Sequence, residues 1–192
     1  MKIKIKFGFF ACLLLLSIAL TASRTFLPMI CAIAVHELGH LFFARILKIK
    51  VRELKLGIFG ARILPEGQLY SYRNEFLLSL GGPLFNIIAY FLSHSIFASP
   101  PSMRTFEVYS LSLAILNFLP IQEFDGSRML TSLLMTRLEA TTVEIIIRSL
   151  SFICIFTLWS ISVYILMRIS ASLNLFIFSI SLFARIFIPD IT

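Results

Sequence analysis

Between Phe26 and Leu47 the chain is almost wholly apolar, yet His36, Glu37 and His40 stand near the middle of that run. A stretch of this length and character can cross a bilayer as a helix. An ionisable group at its centre costs about 3 kcal/mol or more in hydrocarbon, so such groups face the protein interior and mark function. On a helix, His36 and His40 lie one turn apart on one face, the spacing at which two imidazoles can grip one zinc ion. Glu37 sits beside them, placed to take a proton from water that the ion activates.

The rest of the chain supports a membrane setting. Of 192 residues, 58% are hydrophobic and only 14% charged, where a soluble domain has about half and about a quarter. Twenty Phe suit a lipid-facing surface. No polar stretch is long enough for a separate soluble unit. The expected fold class is therefore an all-α polytopic membrane protein, a single domain over residues 1–192. The net charge of +7 does not indicate nucleic acid, because the basic residues are spread over loop positions rather than along one helix. Cys12, Cys31 and Cys154 are isolated within apolar runs and read as small packing residues.

Six apolar stretches are candidates for transmembrane helices: Phe7–Ala22, Phe26–Leu47, Phe76–Ala98, Phe106–Ile121, Val143–Met167 and Ala171–Ile188. The first and fourth are close to the lower limit of length. With the amino terminus inside, fourteen of the seventeen Lys and Arg fall on the cytoplasmic side, and Arg24, Arg104 and Arg168 on the other. This asymmetry predicts six spans with both termini cytoplasmic. The first stretch also has the basic start, apolar centre and small residues of a signal peptide, and cleavage there would leave the other spans oriented as before. Between the second and third spans, Val51–Gln68 shows partial alternation with glycines at 57 and 60. It fits either two short β-like strands, re-entrant or interfacial, or an ordinary cytoplasmic loop.

A catalytic zinc site takes three protein ligands and leaves a fourth position open. The third candidate is Asp125, in the segment LNFLPIQEFDG from Leu116 to Gly126. The second and fourth spans both run from outside to inside. His40 lies about a turn and a half before Arg45, roughly 10 Å from the cytoplasmic boundary, and Asp125 reaches the same side. His94 comes out at the opposite face. Pro120 ends regular helix, and Gly126 permits a tight turn behind the carboxylate. Two neutral imidazoles and one carboxylate would leave a zinc site with a charge of about +1, which favours ionisation of water there.

Together, the HELGH of His36–His40, the GGPLFN of Gly81–Asn86 and the NFLPIQEFDG of Asn117–Gly126 resemble the site-2 protease family of intramembrane zinc metalloproteases. The resemblance covers about residues 26–130, the expected catalytic core. It is nearest in type to the sporulation members, which have six spans and no PDZ domain between the catalytic motifs. Those members carry a cytosolic CBS domain after the sixth span, whereas this sequence stops at Thr192, so regulation through such a domain is not implied.

The resemblance implies that His36, His40 and Asp125 are zinc ligands and Glu37 the catalytic glutamate. It implies a substrate-binding or oxyanion role for Asn86, for which interhelical hydrogen bonding is the structural alternative. It implies that residues 51–68 receive substrate as an added strand. The expected partners are the lipid bilayer, a membrane-spanning or membrane-associated protein substrate cut near the cytoplasmic face, and a regulatory membrane protein. The expected location is a bacterial cell membrane.

Two other readings compete. An intramembrane metal transporter or sensor could use the same His and Asp ligands, although transporters spread ligands over several spans and often show internal repeats. An inactive scaffold would have no need of intact ligands with Glu37 beside them.

Overall fold

The computed structural model describes residues 2–5, 23–49, 51–57, 60–65, 71–96, 101–122 and 124–169, with positions 176, 179, 180, 182 and 183 beyond. In chain order the elements are β1 (Lys2–Ile5), α1 (Ser23–Ile46), β2 (Val51–Gly57), β3 (Gly60–Pro65), α2 (Tyr72–Ile96), α3 (Pro101–Phe118), α4 (Asp125–Leu134) and α5 (Ala140–Ile169). Among the described residues, three helices are long and apolar enough to cross a membrane, over Phe26–Ile46, Tyr72–Ser95 and Ala140–Met167. They match the second, third and fifth stretches expected from sequence. The fourth stretch is the 18-residue α3, which is not among those three. The first stretch, Phe7–Ala22, lies outside the described residues, and most of the sixth does too.

Burial runs opposite to that of a water-soluble protein. On α1 the enclosed side chains are Met29, Ala32, His36, His40 and Ala44, at helical spacing, while Leu27, Leu38, Phe42 and Ile46 point outward. Phe91 on α2 and Ile145 and Met167 on α5 are likewise exposed. Buried polar side chains include Ser79, Asn86, Ser110, Asn117 and Asp125. Large apolar side chains outside and hydrogen-bonding groups inside form the pattern of a chain whose solvent is lipid.

Helices α1, α2 and α3 pack against one another, and α4 lies against α2 and α3. Where α1 crosses α2, Gly39 and Gly81 meet backbone to backbone. A Cβ on Gly39 would collide with the Gly81 carbonyl, and one on Gly81 would lie 2.7 Å from the Gly39 oxygen. In lipid, such small residues give the close approach that helix association needs. Next to the crossing, Ala44 and Leu78 pack with Phe43 and Ile49. A second apolar cluster joins Ile121 and Phe124, between α3 and α4, to Ile155 on α5 and to Leu182. Pro120 follows the end of α3, and its carbonyl accepts a 3.0 Å hydrogen bond from Ser151 Oγ of α5, which satisfies a group left over where the helix stops.

Val51–Gly57 and Gly60–Pro65 form the antiparallel pair β2 and β3, with Leu54 opposite Ile63, Lys55 opposite Arg62 and an irregularity at Val51/Glu53. The amino-terminal β1 adds to β2 in parallel, with Ile3 opposite Leu54 and Lys4 opposite Lys55. The order is β1-β2-β3. Among the described residues, this three-stranded sheet accompanies five helices in a predominantly helical architecture.

Candidate metal centre

Three buried side chains converge. His36 and His40 come from successive turns of α1, and Asp125 from the first turn of α4. His36 Nε2 and His40 Nε2 each lie 3.1 Å from Asp125 Oδ2, and the two Nε2 atoms are 3.2 Å apart. The rings meet edge to face, with centroids 4.8 Å apart and planes at 81°. Among the described residues, these three form the group of His and carboxylate side chains able to hold a metal ion.

The geometry fits a divalent ion. A tetrahedral centre with metal–ligand bonds of about 2.0–2.1 Å has ligands separated by roughly 3.3 Å. The three donor atoms already stand close to that spacing. The donor set, two imidazole nitrogens and one carboxylate oxygen, suits zinc and its first-row neighbours. The chain keeps space beside the nitrogens as well. A Cβ on Gly82 would lie 2.5 Å from His40 Nε2 and 2.6 Å from His36 Nε2. Gly81 and Gly82 look alike in sequence, but the first serves the helix crossing and the second leaves room at the imidazoles.

This contrast yields a prediction. Gly82→Ala should weaken zinc binding at least tenfold in a chelator competition, with little change in thermal midpoint. Gly39→Ala should do the reverse, costing about 1–3 kcal/mol of stability through overpacking at the crossing while leaving the imidazoles alone. Equal effects of the two substitutions on metal affinity would contradict the assignment.

Neighbouring groups orient these three side chains. His40 Nδ1–H donates to the Leu78 carbonyl at 2.8 Å, which leaves Nε2 as a lone pair facing the site. Asp125 turns Oδ2 to the imidazoles, and its Oδ1 lies 3.8 Å from Arg128 Nη1. Arg128 is itself held by Glu75 of α2, through Nε at 2.8 Å and Nη2 at 2.6 Å. The Glu75–Arg128 pair therefore brings a cation beside Asp125 without adding net charge, and braces α4 against α2. Asp125 also begins a helix, where the backbone dipole favours an anion. Gly126, read from sequence as a turn residue, lies within that first turn, close against the Phe118 and Leu119 carbonyls at the end of α3.

The other candidate residues are placed as follows. Glu37 follows His36 on α1 and is half-buried, with its Oε2 enclosed by protein. Asn86 is fully buried, its Nδ2 3.3 Å from His36 Nδ1. Asn117 donates back to the Leu113 carbonyl of its own helix at 3.0 Å. His94 is near the far end of α2, 3.5 Å from Glu107 of α3, and is not part of the cluster. Sequence reasoning overlooked Glu75 and Arg128. The one available signal was that Arg128 stands three residues after Asp125, the separation of neighbours on a helix.

No protein-family model matches this sequence, and no curated protein matches it. Among solved structures, the site-2 protease from Methanocaldococcus jannaschii is similar to this chain. The TM-score is 0.61 at 18% identity, with 96% of this chain and 89% of that one covered. At such identity the likeness is one of fold.

Proposed function

We propose that this chain is an intramembrane zinc metalloprotease that hydrolyses a peptide bond of a membrane-associated protein. The observation that carries the reading is the convergence of His36, His40 and Asp125 to 3.1–3.2 Å inside a bundle with an apolar exterior. Nothing in the packing of apolar helices calls for three such groups in one place, and their burial is costly unless they do chemistry. The fold shared with a protein named as a site-2 protease supports the same reading.

A zinc ion held by these three residues would act as a Lewis acid, polarising water and the scissile carbonyl. The chain's own groups supply the rest. Glu37 takes the proton from the attacking water and returns it to the departing amine. His40, fixed by the Leu78 carbonyl, and Asp125, flanked by Arg128, hold the donor atoms in place so that little reorganisation accompanies the reaction. The β1-β2-β3 sheet receives the substrate as an extended strand, which exposes a carbonyl that a helical substrate would hide. In this proposal the chain crosses a bacterial cell membrane six times with both termini cytoplasmic, and cleavage takes place near the cytoplasmic face.

The test is metal removal. Protein reconstituted in liposomes with candidate single-span proteins should lose cleavage on treatment with a zinc chelator and regain it when zinc is restored. Transport of zinc across the vesicle wall, with no peptide cut under any loading, would favour a transit site instead.

A further inference from the structure

Arg128 stands between two carboxylates. Asp125 lies three residues before it on α4, on the same helix face, and Glu75 reaches it from the first turn of α2. Only 21% of the Arg128 side chain is exposed. In so enclosed a place, a guanidinium next to an aspartate is expected to close on it, because the two groups match as two-pronged partners joined by paired N–H···O bonds. Here that pair does not form. Arg128 Nη1 stays 3.8 Å from Asp125 Oδ1, beyond hydrogen-bond reach. The guanidinium instead turns its Nε and Nη2 to Glu75 Oε1, at 2.8 and 2.6 Å.

The choice of partner matters for Asp125, whose Oδ2 stands 3.1 Å from both imidazole Nε2 atoms. A two-pronged pair with Arg128 would draw both carboxylate oxygens to one cation and turn Oδ2 away from the imidazoles. It would also neutralise the charge that a divalent ion takes from this ligand. Glu75 opposes both effects. It holds the guanidinium by the edge that carries Nε and Nη2, and its own charge offsets a cation that would otherwise repel a metal ion.

We propose that Glu75 is a positioning residue for the metal centre and acts through Arg128: it holds the guanidinium off Asp125, so that this carboxylate stays available to a metal ion. The role goes beyond bracing α4 against α2. A brace needs its two partners equally, whereas a restraint on Arg128 is needed only while Arg128 is present. The proposal rests on the metal-centre reading above.

The test measures the zinc affinity of the full chain in detergent by chelator competition, beside its thermal midpoint. Glu75→Gln frees Arg128 to close on Asp125 and should weaken zinc by about 10–100-fold, the usual cost of losing a partner behind a metal ligand. Arg128→Met loses the same bridge and should lower the midpoint as much, but it leaves no cation beside Asp125. It should bind zinc at least about tenfold more tightly than Glu75→Gln does. The double variant should match Arg128→Met to within about threefold. Equal weakening of zinc in the two single variants would reduce the pair to a brace and overturn the proposal. A double variant as weak as Glu75→Gln would overturn it too. Should Glu75→Gln fail to fold, Glu75→Asp decides in its place, since the shorter arm loosens the hold on Arg128. Weakened zinc that Arg128→Met restores supports the role; zinc bound as in the unaltered chain, or weakened beyond rescue, overturns it. If the unaltered chain takes up no zinc, the metal-centre reading fails and this role with it.

Discussion

Changing Glu37 to Gln should abolish cleavage while leaving zinc content at that of the unaltered chain. Gln matches Glu in size, and position 37 is half-buried on α1, so the helix and its packing should survive. What is lost is a group that can accept a proton from water and pass it on. General base and acid roles are each worth about 10²–10⁴ in rate. A single residue performing both should place the variant near the upper end of that range. The measurement is initial cleavage rate in liposomes, beside metal content from the same preparation. A Gln variant that retains zinc and cuts at the normal rate would remove Glu37 from the chemistry.

The second large effect concerns the ligands. Full structural zinc sites bind with roughly 10–16 kcal/mol, so each of four ligands carries on the order of 3 kcal/mol. Replacing His36, His40 or Asp125 by Ala should therefore weaken zinc by at least about a hundredfold. Asp125→Ala should be the most severe, since it removes the one negative ligand. It should also destabilise the metal-free chain. The buried imidazoles of His36 and His40, each 3.1 Å from Asp125 Oδ2, would lose a polar partner at a cost of about 1–3 kcal/mol. Zinc titration with a competing chelator, paired with thermal unfolding without metal, separates the two consequences.

The metal centre could be read from sequence further than the scaffold around it. His36 and His40 are four residues apart on one helix, and a period of 3.6 is enough to put them on one face. Asp125 is 89 residues from His36, but the orientation expected from the charge asymmetry was enough to predict the two at a similar depth. The roles of Gly81 and Gly82 could not be separated in the same way. Which of two adjacent positions meets Gly39 and which meets the imidazoles depends on the rotation of α2 about its own axis, which packing alone sets. The Glu75–Arg128 bridge joins residues 53 apart on different helices, with no local pattern to announce it. Asn86 was visible only as part of a motif, and its place behind His36 follows from the same rotation of α2. The parallel pairing of β1 with β2 was hidden too, because a short Lys-Ile alternation reads equally well as the basic flank of a following apolar stretch.

The most direct test of the central claim is the X-ray absorption spectrum of the zinc-loaded, purified chain at the zinc edge. Two imidazoles and an Asp125 oxygen require a first shell of nitrogen and oxygen only, at about 2.0–2.1 Å, with outer-shell scattering from two rings. That spectrum, at one zinc per chain, is the expected result. Sulfur in the first shell would instead assign the ion to cysteines such as Cys31 or Cys154, neither of which belongs to this cluster. Such a spectrum, or an ion lacking imidazole scattering, would contradict the account.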